Sequence, residues 1–541
     1  LKERINRFEL KPQPRKNNHL IAQIGMLDLP HEQLQTPYTI DFIKDGHLAI
    51  FASPGYGKST MLQTIAMQIA NHYTPEEVHF YLLDFGTNGL LPLRKLPHVA
   101  DMIRLDEEQK LQKWMKRING LIKTRKKLLS QYGVASAAMY KELTHKPLPD
   151  IVIFIDVMDA ANESSLKDGF DELMTKIARD GVGLGIFLVM TASRQLAIRT
   201  PILINIKTQI VLYMIDQSES RSIMGKSDVT IEEIPGRALI KLDEVVLMQA
   251  AMPAEGEDDL QLSENLRNNI EEISRNWNGT KPASIPMVPE RVTEEFFLEL
   301  LTVKKAYAED KIPFAVDMEN VEAVSLDLSI QQHLLVIADT ERRFMQAYEA
   351  ILNSMERSTF NPQLLIVDQV TALYSSLQTY KAQYIQQIED ITALIEQVLE
   401  AMQARQESFV EQKEDGISSL REFTKQLSPI VLLFTDMEAI NSQLSSTSQS
   451  QLAKVISDAA PYGIHFIFGM KSQMARSYDE VSTALKKLNT AISMVRLNDQ
   501  SVIEVQRPYR EKELNAYEAY MIQGNHTEKV KILSVLQVEV I

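Results

Sequence analysis

The stretch Phe51-Ala52-Ser53-Pro54-Gly55-Tyr56-Gly57-Lys58-Ser59-Thr60 decides which fold this chain adopts. An apolar run, His47 to Phe51, precedes it, and apolar residues at helical spacing follow it. A strand, a glycine-rich turn, a Lys-Ser pair and a helix form the layout of a phosphate-binding loop (P-loop). We therefore predict that residues 52–60 bind the phosphates of a nucleotide.

Each part of this loop has a physical task. Gly55 and Gly57 allow backbone N–H groups to turn inward around a phosphate, and the positive end of the next helix points at the same anion. Lys58 is expected to neutralise the β- and γ-phosphates, and the Ser59 hydroxyl to ligate Mg²⁺. Ala52 replaces the usual Gly at a position that closes the turn, which is a mild departure. The predicted cofactors are ATP and Mg²⁺.

Composition excludes several other classes of function. The 541 residues suffice for about three domains of ~150 residues, and 45% of them are apolar, as in a globular protein. A net charge of −15 makes the chain a poor default binder of duplex nucleic acid. The absence of Cys rules out disulfides and thiolate metal sites. No apolar run reaches the length of a membrane span, and because the chain starts at Leu1 rather than Met, we expect a piece of a longer protein.

Short aliphatic runs alternate with longer helical patterns, and this alternation predicts a mostly parallel sheet flanked by helices. The runs recur in the same order after about 286 residues (338 − 52). His333–Ala338 repeats His47–Ala52, and Ile430–Asp436 repeats Ile151–Asp156. The predicted fold class is α/β, with two tandem P-loop domains.

The border between the two domains is predicted from an acidic cluster around residues 255–259 followed by several prolines. We assign residues 1–270 to a domain with an intact loop, residues 271–290 to a linker, and residues 291–541 to a second, P-loop-like domain.

A second ligand for the metal is expected at the end of a buried strand. Asp156 ends the most apolar run of the chain, where an ionised carboxylate needs a nearby cation. We predict that Ser59 and Asp156 hold Mg²⁺ together. Hydrolytic P-loop proteins usually place Glu after this Asp to orient water, but Val157 stands there, so binding is predicted more firmly than turnover.

Further catalytic candidates end the next predicted strand. Thr191 or Ser193 would sit beside the γ-phosphate as a sensor. Arg194 is a candidate to reach the nucleotide of a neighbouring subunit, as are Arg221 and Arg237. Asp156, Ser193 and Arg194 together form the predicted catalytic set.

The second repeat has lost these features. Its aligned loop reads Ala338-Asp339-Thr340-Glu341-Arg342-Arg343-Phe344-Met345, with Arg343-Phe344-Met345 in place of Gly57-Lys58-Ser59. The amide cradle, the lysine and the metal-binding hydroxyl are all missing, and two acidic side chains would repel phosphate. We predict no tight nucleotide binding here and a binding or regulatory role instead.

Several motifs together resemble a known family. These are the Ser-Pro-Gly-Tyr-Gly-Lys-Ser-Thr loop, Leu83-Asp84-Phe85-Gly86, Leu93-Arg94-Lys95-Leu96-Pro97-His98-Val99, and Gln217-Ser218-Glu219-Ser220-Arg221-Ser222-Ile223-Met224-Gly225. They look like the FtsK/SpoIIIE ATPases, whose domains are RecA-like and of the FtsK/HerA type. The lead-in from Gly25 to Gln35 is similar to the segment before ATPase domains in the type VII secretion branch.

The resemblance implies a motor component at the cytoplasmic face of a bacterial membrane, with its anchor upstream of this chain. It implies assembly with other subunits of the same ATPase, as a hexamer at least transiently, and with other membrane components of the secretion system. The exported substrates would be small helical proteins of the WXG100 type, recognised by the terminal domain. Nucleic acid is not an expected partner.

Two other functions stay open from the sequence. The same family includes double-stranded DNA translocases, which the acidic charge disfavours although a predicted helix carries a basic face from Lys110 to Lys127. A non-hydrolytic adaptor with a structural nucleotide is the other, and Val157 motivates it.

Overall fold

The computed structural model describes residues 1–541 except 7–8, 11–17, 329–332, 360–361, 369–376, 415, 418, 474–478 and 536–541. The chain separates into two compact units, Leu1–Ile285 and Pro286–Ile541. Each unit is built around one ten-stranded sheet. Among the described residues, no helix has both the length and the apolarity needed to cross a bilayer.

The first unit alternates strands and helices as the aliphatic runs predict. Its strands are β1 Ile21–Leu29, β2 Leu34–Asp41, β3 Leu48–Phe51, β4 Val78–Asp84, β5 Val99–Arg104, β6 Asp150–Asp156, β7 Ile186–Ala192, β8 Thr208–Leu212, β9 Arg237–Lys241 and β10 Val245–Ala250. Its helices are α1 Phe42–Asp45, α2 Lys58–His72, α3 Glu108–Tyr132, α4 Ala137–Thr144, α5 Met158–Ala161, α6 Lys167–Leu184, α7 Thr200–Leu203, α8 Gln217–Met224 and α9 Asp259–Asn276.

The second unit repeats this plan. Its strands are β11 Ile312–Asp317, β12 Ala323–Leu326, β13 Leu334–Ile337, β14 Gln363–Val367, β15 Gln383–Ile385, β16 Ile430–Phe434, β17 Ile464–Met470, β18 Thr490–Ser493, β19 Glu518–Gln523 and β20 His526–Ile532. Its described helices are α10 Glu294–Glu299, α11 Leu301–Ala308, α12 Glu341–Arg357, α13 Ile388–Glu414, α14 Leu420–Thr424, α15 Met437–Asn441, α16 Ser446–Asp458 and α17 Glu480–Leu485.

The two sheets have the same strand order. The first runs β2-β1-β10-β9-β8-β3-β7-β6-β4-β5, and adding ten to each number gives the order of the second. The six strands from β8 to β5 are parallel, and the four at the other edge are antiparallel. The predicted α/β fold with two tandem, mostly parallel sheets is confirmed.

The central strands explain why the aliphatic runs are nearly continuous. Every residue of β6 and β7 is buried, because helices cover both faces of a parallel sheet. The polar residues that end these strands therefore collect at the carboxyl edge, beside the loop that follows β3. Ligand sites of open α/β sheets lie at this edge.

Strand register corrects one detail of the predicted repeat. Ile337 pairs with Met470 as Phe51 pairs with Ala192, and Phe434 pairs with Phe468. Counting along these pairs makes Thr435, not Asp436, the counterpart of Asp156. Asp436 lies one residue further on and accepts a hydrogen bond from the Ala439 amide at the start of α15.

Candidate functional site

The loop between β3 and α2 has an open, left-handed backbone at both glycines. Gly55 and Gly57 have φ of 89° and 100°, values that residues with a Cβ rarely adopt. A Cβ placed on Gly55 would meet nothing within 4 Å. Helix α2 begins at Lys58, and no side chain caps its first amides. The amides and the helix dipole are therefore free to face an anion.

Neighbouring loops hold this turn in place. Ser53 N donates to Tyr213 O at 3.2 Å. The Tyr56 ring packs on Tyr213 with centroids 4.8 Å apart, and its hydroxyl donates to Glu233 Oε1 at 2.6 Å. Gly236 N donates to Tyr56 O at 3.2 Å. The shape of the loop is thus fixed before any ligand arrives, which lowers the ordering cost of binding.

Lys58 points back into the loop. Its Nζ donates to Ala52 O at 2.5 Å. Burial lowers the pKa of Lys58, while the charges of Asp159 and Asp156 act in the opposite direction. An ammonium held inside a glycine-rich loop is the group that neutralises nucleotide phosphates in this class of site.

The two predicted metal ligands are in direct contact. Ser59 Oγ donates to Asp156 Oδ2 at 2.6 Å, and Asp156 is only 1% exposed. Thr191 Oγ1 donates to the other oxygen, Oδ1, at 2.7 Å and accepts from Val157 N at 2.8 Å. The structure therefore brings together Ser59, Asp156 and Thr191 in one hydrogen-bonded chain beneath the loop.

Val157 adopts an unusual backbone conformation. Its φ is 62°, the left-handed region, which is a genuine outlier for a β-branched residue. The bond from its amide to Thr191 holds this strained turn. The position that usually carries a water-orienting Glu is thus occupied by an apolar side chain on a strained backbone.

The remaining catalytic candidates lie apart from Asp156. Ser193 is bound to Asp159: its amide donates to Oδ2 at 2.9 Å, and its hydroxyl donates to Oδ1. Arg194 and Arg221 are exposed. Arg237 is 3% exposed and pairs with Glu232 at 3.5 Å. Of the sensor candidates, Thr191 contacts the metal-side carboxylate; of the arginines, Arg194 and Arg221 are accessible to a neighbour.

Sequence reasoning missed one component of the site, the turn after β4. Asp84 and Asp156 are direct neighbours in the register of β4 and β6. Leu90 N donates to Asp84 Oδ2 at 2.8 Å, and Gln63 Nε2 donates to Gly89 O at 2.7 Å. Burial raises the pKa of Asp84, and the charge of Asp156 raises it further. The sequence did contain one signal for this component, because Asp84 ends a predicted strand.

Gly89 lies against the Ser59–Asp156 pair. A Cβ at this position would be 2.6 Å from both Ser59 Oγ and Asp156 Oδ2. Such a close approach of backbone to two polar side chains is possible only for glycine.

This arrangement fits a nucleotide with Mg²⁺. A hydroxyl and one or two carboxylates, supplemented by phosphate oxygens and water, form the usual protein share of a Mg²⁺ site. Among the described residues there is no group of three or more His, Asp or Glu side chains that would hold a metal by itself. The donors of this site are therefore suited to a metal that arrives with phosphates.

The counterpart in the second unit cannot form the same cradle. Helix α12 begins at Glu341, three residues after Ala338, whereas α2 begins six residues after Ala52. The Thr340 side chain caps α12 by accepting from Arg343 N, so this first-turn amide is already bonded within the chain. The Arg343 guanidinium donates to the carbonyls of Leu514 and Asn515, both at 3.1 Å.

In the second unit, the Tyr348 side chain fills the space beside the strand ends that correspond to Asp156 and Thr191. The buried Tyr348 hydroxyl donates to Thr435 O at 3.0 Å. Gly469, the counterpart of Thr191 by register, has room only for hydrogen: a Cβ would lie 2.1 Å from both Thr435 O and the Tyr348 hydroxyl. The chain of Ser59, Asp156 and Thr191 has thus no equivalent here.

Comparisons with known proteins agree with this geometry. Residues 10–238 match the FtsK/SpoIIIE family. The chain is 30% identical over 513 residues to the ESX secretion system protein EccC of Geobacillus thermodenitrificans, and 30% identical over 515 residues to the type VII secretion system protein EssC of Staphylococcus aureus strain MRSA252. Each alignment covers 94% of this chain, but only 34% and 33% of the relative. The chain therefore spans about a third of the length of these relatives.

Solved structures give the same result. The structure of EssC ATPases 2 and 3 from Geobacillus thermodenitrificans has a TM-score of 0.88 at 28% identity, covering 98% of this chain and 99% of that one. A structure titled the cytoplasmic domain of EssC has a TM-score of 0.72 at 29% identity, covering 95% and 99%. The predicted resemblance is confirmed: the first unit contains an FtsK/SpoIIIE domain, and the chain is similar to tandem ATPase domains of type VII secretion proteins. The family match implies nucleotide binding.

Proposed function

We propose that this chain binds ATP with Mg²⁺ in its first domain and is part of a type VII secretion motor that drives or gates protein export. The observation that carries this proposal is the chain of hydrogen bonds from Ser59 through Asp156 to Thr191 beneath a pre-shaped glycine loop. The similarity to EssC and EccC supplies the type of system.

The residues divide the work of binding. Lys58 and the amides of residues 53–59 bind and neutralise the phosphates, while Ser59 and Asp156 hold the metal side. When bound, Mg²⁺ neutralises charge on the β- and γ-phosphates. Thr191 fixes the carboxylate of Asp156 and the backbone of Val157.

Turnover in this site depends on assembly. Val157 offers no acceptor for the attacking water, and no arginine of the chain's own described residues is bonded into the loop. Arg194 and Arg221 are exposed and available to a neighbouring subunit's nucleotide, as a ring requires. We therefore propose a hexamer as the active form, with hydrolysis weak or absent in the isolated chain.

Calorimetric titration with ATP and Mg²⁺ tests the site. We expect saturable binding by the wild-type chain and its loss in Lys58→Ala, because the ammonium is the only cation bonded within the described loop. The control is Gly120→Ala on α3, where a Cβ would meet nothing within 4 Å; it should bind like the wild type. Absence of binding by the wild-type chain would refute the proposed site.

The second domain is proposed to bind or regulate exported proteins of the WXG100 type. Its loop is short, the Thr340 side chain caps its helix, and Tyr348 fills the strand edge, and these features support a domain that does not bind nucleotide tightly. We propose that the whole protein lies at the cytoplasmic face of the cell membrane with its anchor upstream, and that it contacts other membrane components of the secretion system. Titration of a labelled WXG100-type protein into the wild-type chain and into Lys58→Ala should give equal affinities; no binding to either would count against this role.

A non-hydrolytic adaptor is the second candidate, because Val157 replaces the water-orienting residue. Phosphate release by the assembled full-length protein separates the two. Turnover that disappears in Asp156→Ala favours the motor, whereas nucleotide binding without turnover favours the adaptor. Duplex DNA translocation stays disfavoured by the net charge of −15, and two basic residues of α3 are paired within the chain: Lys110 with Asp101, and Lys126 with Asp180.

A further inference from the structure

We propose that Asp84 is a member of the metal site and supplies a second carboxylate charge beside Asp156. Val157, the residue after Asp156, cannot supply that charge. This inference rests on the proposed function, since it needs nucleotide and metal at the first domain. Asp84 and Asp156 end neighbouring parallel strands and are directly paired in register, so their side chains leave the sheet on the same side.

The surroundings of Asp84 leave part of its carboxylate unmatched. The residue is 3% exposed, and its Oδ2 accepts from Leu90 N at 2.8 Å. Its Oδ1 is buried and has no hydrogen-bond partner among the described residues. Both oxygens of Asp156 already accept hydrogen bonds, from Ser59 and Thr191. The backbone amides of Gly86 and Asn88 also favour the charged form of Asp84, and a buried carboxylate with one unpartnered oxygen is stabilised further by a cation or a bound water.

The second domain provides an internal comparison. Asp368 occupies the place of Asp84 there, but its strand neighbour is Thr435, whose hydroxyl donates to Asp368 Oδ1 at 2.7 Å. In the second domain a threonine hydroxyl stands where the first has the Asp156 carboxylate, and it donates to one oxygen of Asp368. Where the loop is intact, both carboxylates remain side by side. This difference between the domains is expected if Asp84 and Asp156 together attract a divalent cation in the first domain.

The arrangement also explains why the metal would depend on nucleotide. Two carboxylates and one hydroxyl are fewer ligands than Mg²⁺ needs, so phosphate oxygens and water complete the set. The backbone of Gly89 lies against the Ser59–Asp156 pair and leaves no room there for a side chain. We therefore expect Asp84 to act by attracting the ion and by accepting from its water.

The test measures metal dependence rather than activity. Nucleotide affinity is measured calorimetrically across a Mg²⁺ titration and again with EDTA, for the wild type and Asp84→Asn. The amide oxygen of Asn can still accept from Leu90 N, so the turn after β4 is preserved. We expect the half-saturating Mg²⁺ concentration to rise about tenfold or more, the size usual for residues supporting a metal site, with metal-free affinity unchanged. The control is Asp171→Asn on α6, which removes a buried carboxylate paired with Arg199.

The outcomes separate the two proposals. If the wild-type chain binds no nucleotide, the proposed function fails. If the wild type binds and Asp84→Asn has the same Mg²⁺ dependence, only the role of Asp84 is overturned. Should Asp84→Asn fail to fold, crystals of the wild-type chain with a non-hydrolysable nucleotide and Mn²⁺ decide: anomalous density for Mn²⁺ contacting the Asp84 carboxylate, directly or through one water, supports the proposal, and a Mn²⁺ ion separated from it refutes the proposal.

Discussion

Replacing Gly89 by alanine perturbs the metal side of the candidate site without replacing any side chain in it. The added Cβ would lie 2.6 Å from Ser59 Oγ and from Asp156 Oδ2, and 2.7 Å from Ser59 Cβ. Non-bonded heavy atoms are comfortable at about 3.5 Å. The turn after β4 and the Ser59–Asp156 pair must therefore separate by roughly 1 Å.

The size of the effect follows from this displacement. The Ser59–Asp156 hydrogen bond is 2.6 Å long. Where Ser59 or Asp156 alone takes up the displacement of roughly 1 Å, the two oxygens move beyond hydrogen-bonding distance. Overpacking of this kind costs about 1–3 kcal/mol. We expect the affinity for nucleotide with Mg²⁺ to fall about tenfold or more, since ~1.4 kcal/mol corresponds to a factor of ten. Binding in EDTA should change little, because Lys58 and the loop amides are not displaced.

Calorimetry at saturating Mg²⁺ and in EDTA measures both quantities. Gly86→Ala is the matched control in the same turn, since its Cβ would press mainly on the Val157 Cγ2 methyl at 2.9 Å and lie 3.7 Å from Asp156 Oδ2. The reasoning is refuted if Gly89→Ala binds Mg²⁺-nucleotide as the wild type does, or if its loss of affinity is equal with and without metal.

Three further predictions concern stability. Gly120→Ala should raise the unfolding free energy by about 0.5–1 kcal/mol in urea, because an exposed helical glycine gains helix propensity there; a decrease would contradict this. Gly469→Ala should destabilise the second unit by about 2 kcal/mol or more, because its Cβ would strike Thr435 O and Tyr348; wild-type stability would contradict it. Burial lowers the His47 pKa to about 4, so its stability contribution is complete above pH 6.5 and declines by about 2–3 kcal/mol on acidification to pH 4.5. His47→Gln should flatten this dependence in urea titrations, and an unchanged slope would argue against it.

Two residues of the site could be predicted from the sequence, because each has a fixed position relative to a local pattern. Ser59 follows the lysine of the loop, and Asp156 ends a run of aliphatic residues, so both were found from local pattern. Thr191 lies in the last two residues of β7 and Ser193 directly follows the strand, and only the structure decides that Thr191 contacts Asp156 while Ser193 contacts Asp159.

Other features of the site depend on distances between strands, which a sequence pattern does not give. The close approach of Gly89 to Asp156 arises from the turn after β4, and nothing in the spacing of glycines indicates it. The shortened loop of the second unit shifts the ungapped comparison by three residues at the start of α12. At the end of β16 two polar residues, Thr435 and Asp436, compete for the place of Asp156, and hydrogen bonding assigns it to the threonine.

The two sheets have one strand order, so the loss of chemistry in the second is not a loss of fold. The residues at the corresponding place in the second sheet have structural contacts instead. Thr340 caps the helix, Arg343 binds the carbonyls before β19, and Tyr348 fills the strand edge. These contacts now stabilise the native state, and removing the Tyr348 hydroxyl would take from the buried Thr435 carbonyl the hydrogen bond that it accepts. Installing a lysine and a serine on α12 would therefore not restore nucleotide binding, because the turn is still three residues short and the amides remain capped. A variant with Glu341→Lys and Arg342→Ser that bound nucleotide at this second loop would show that the cradle matters less than the charge.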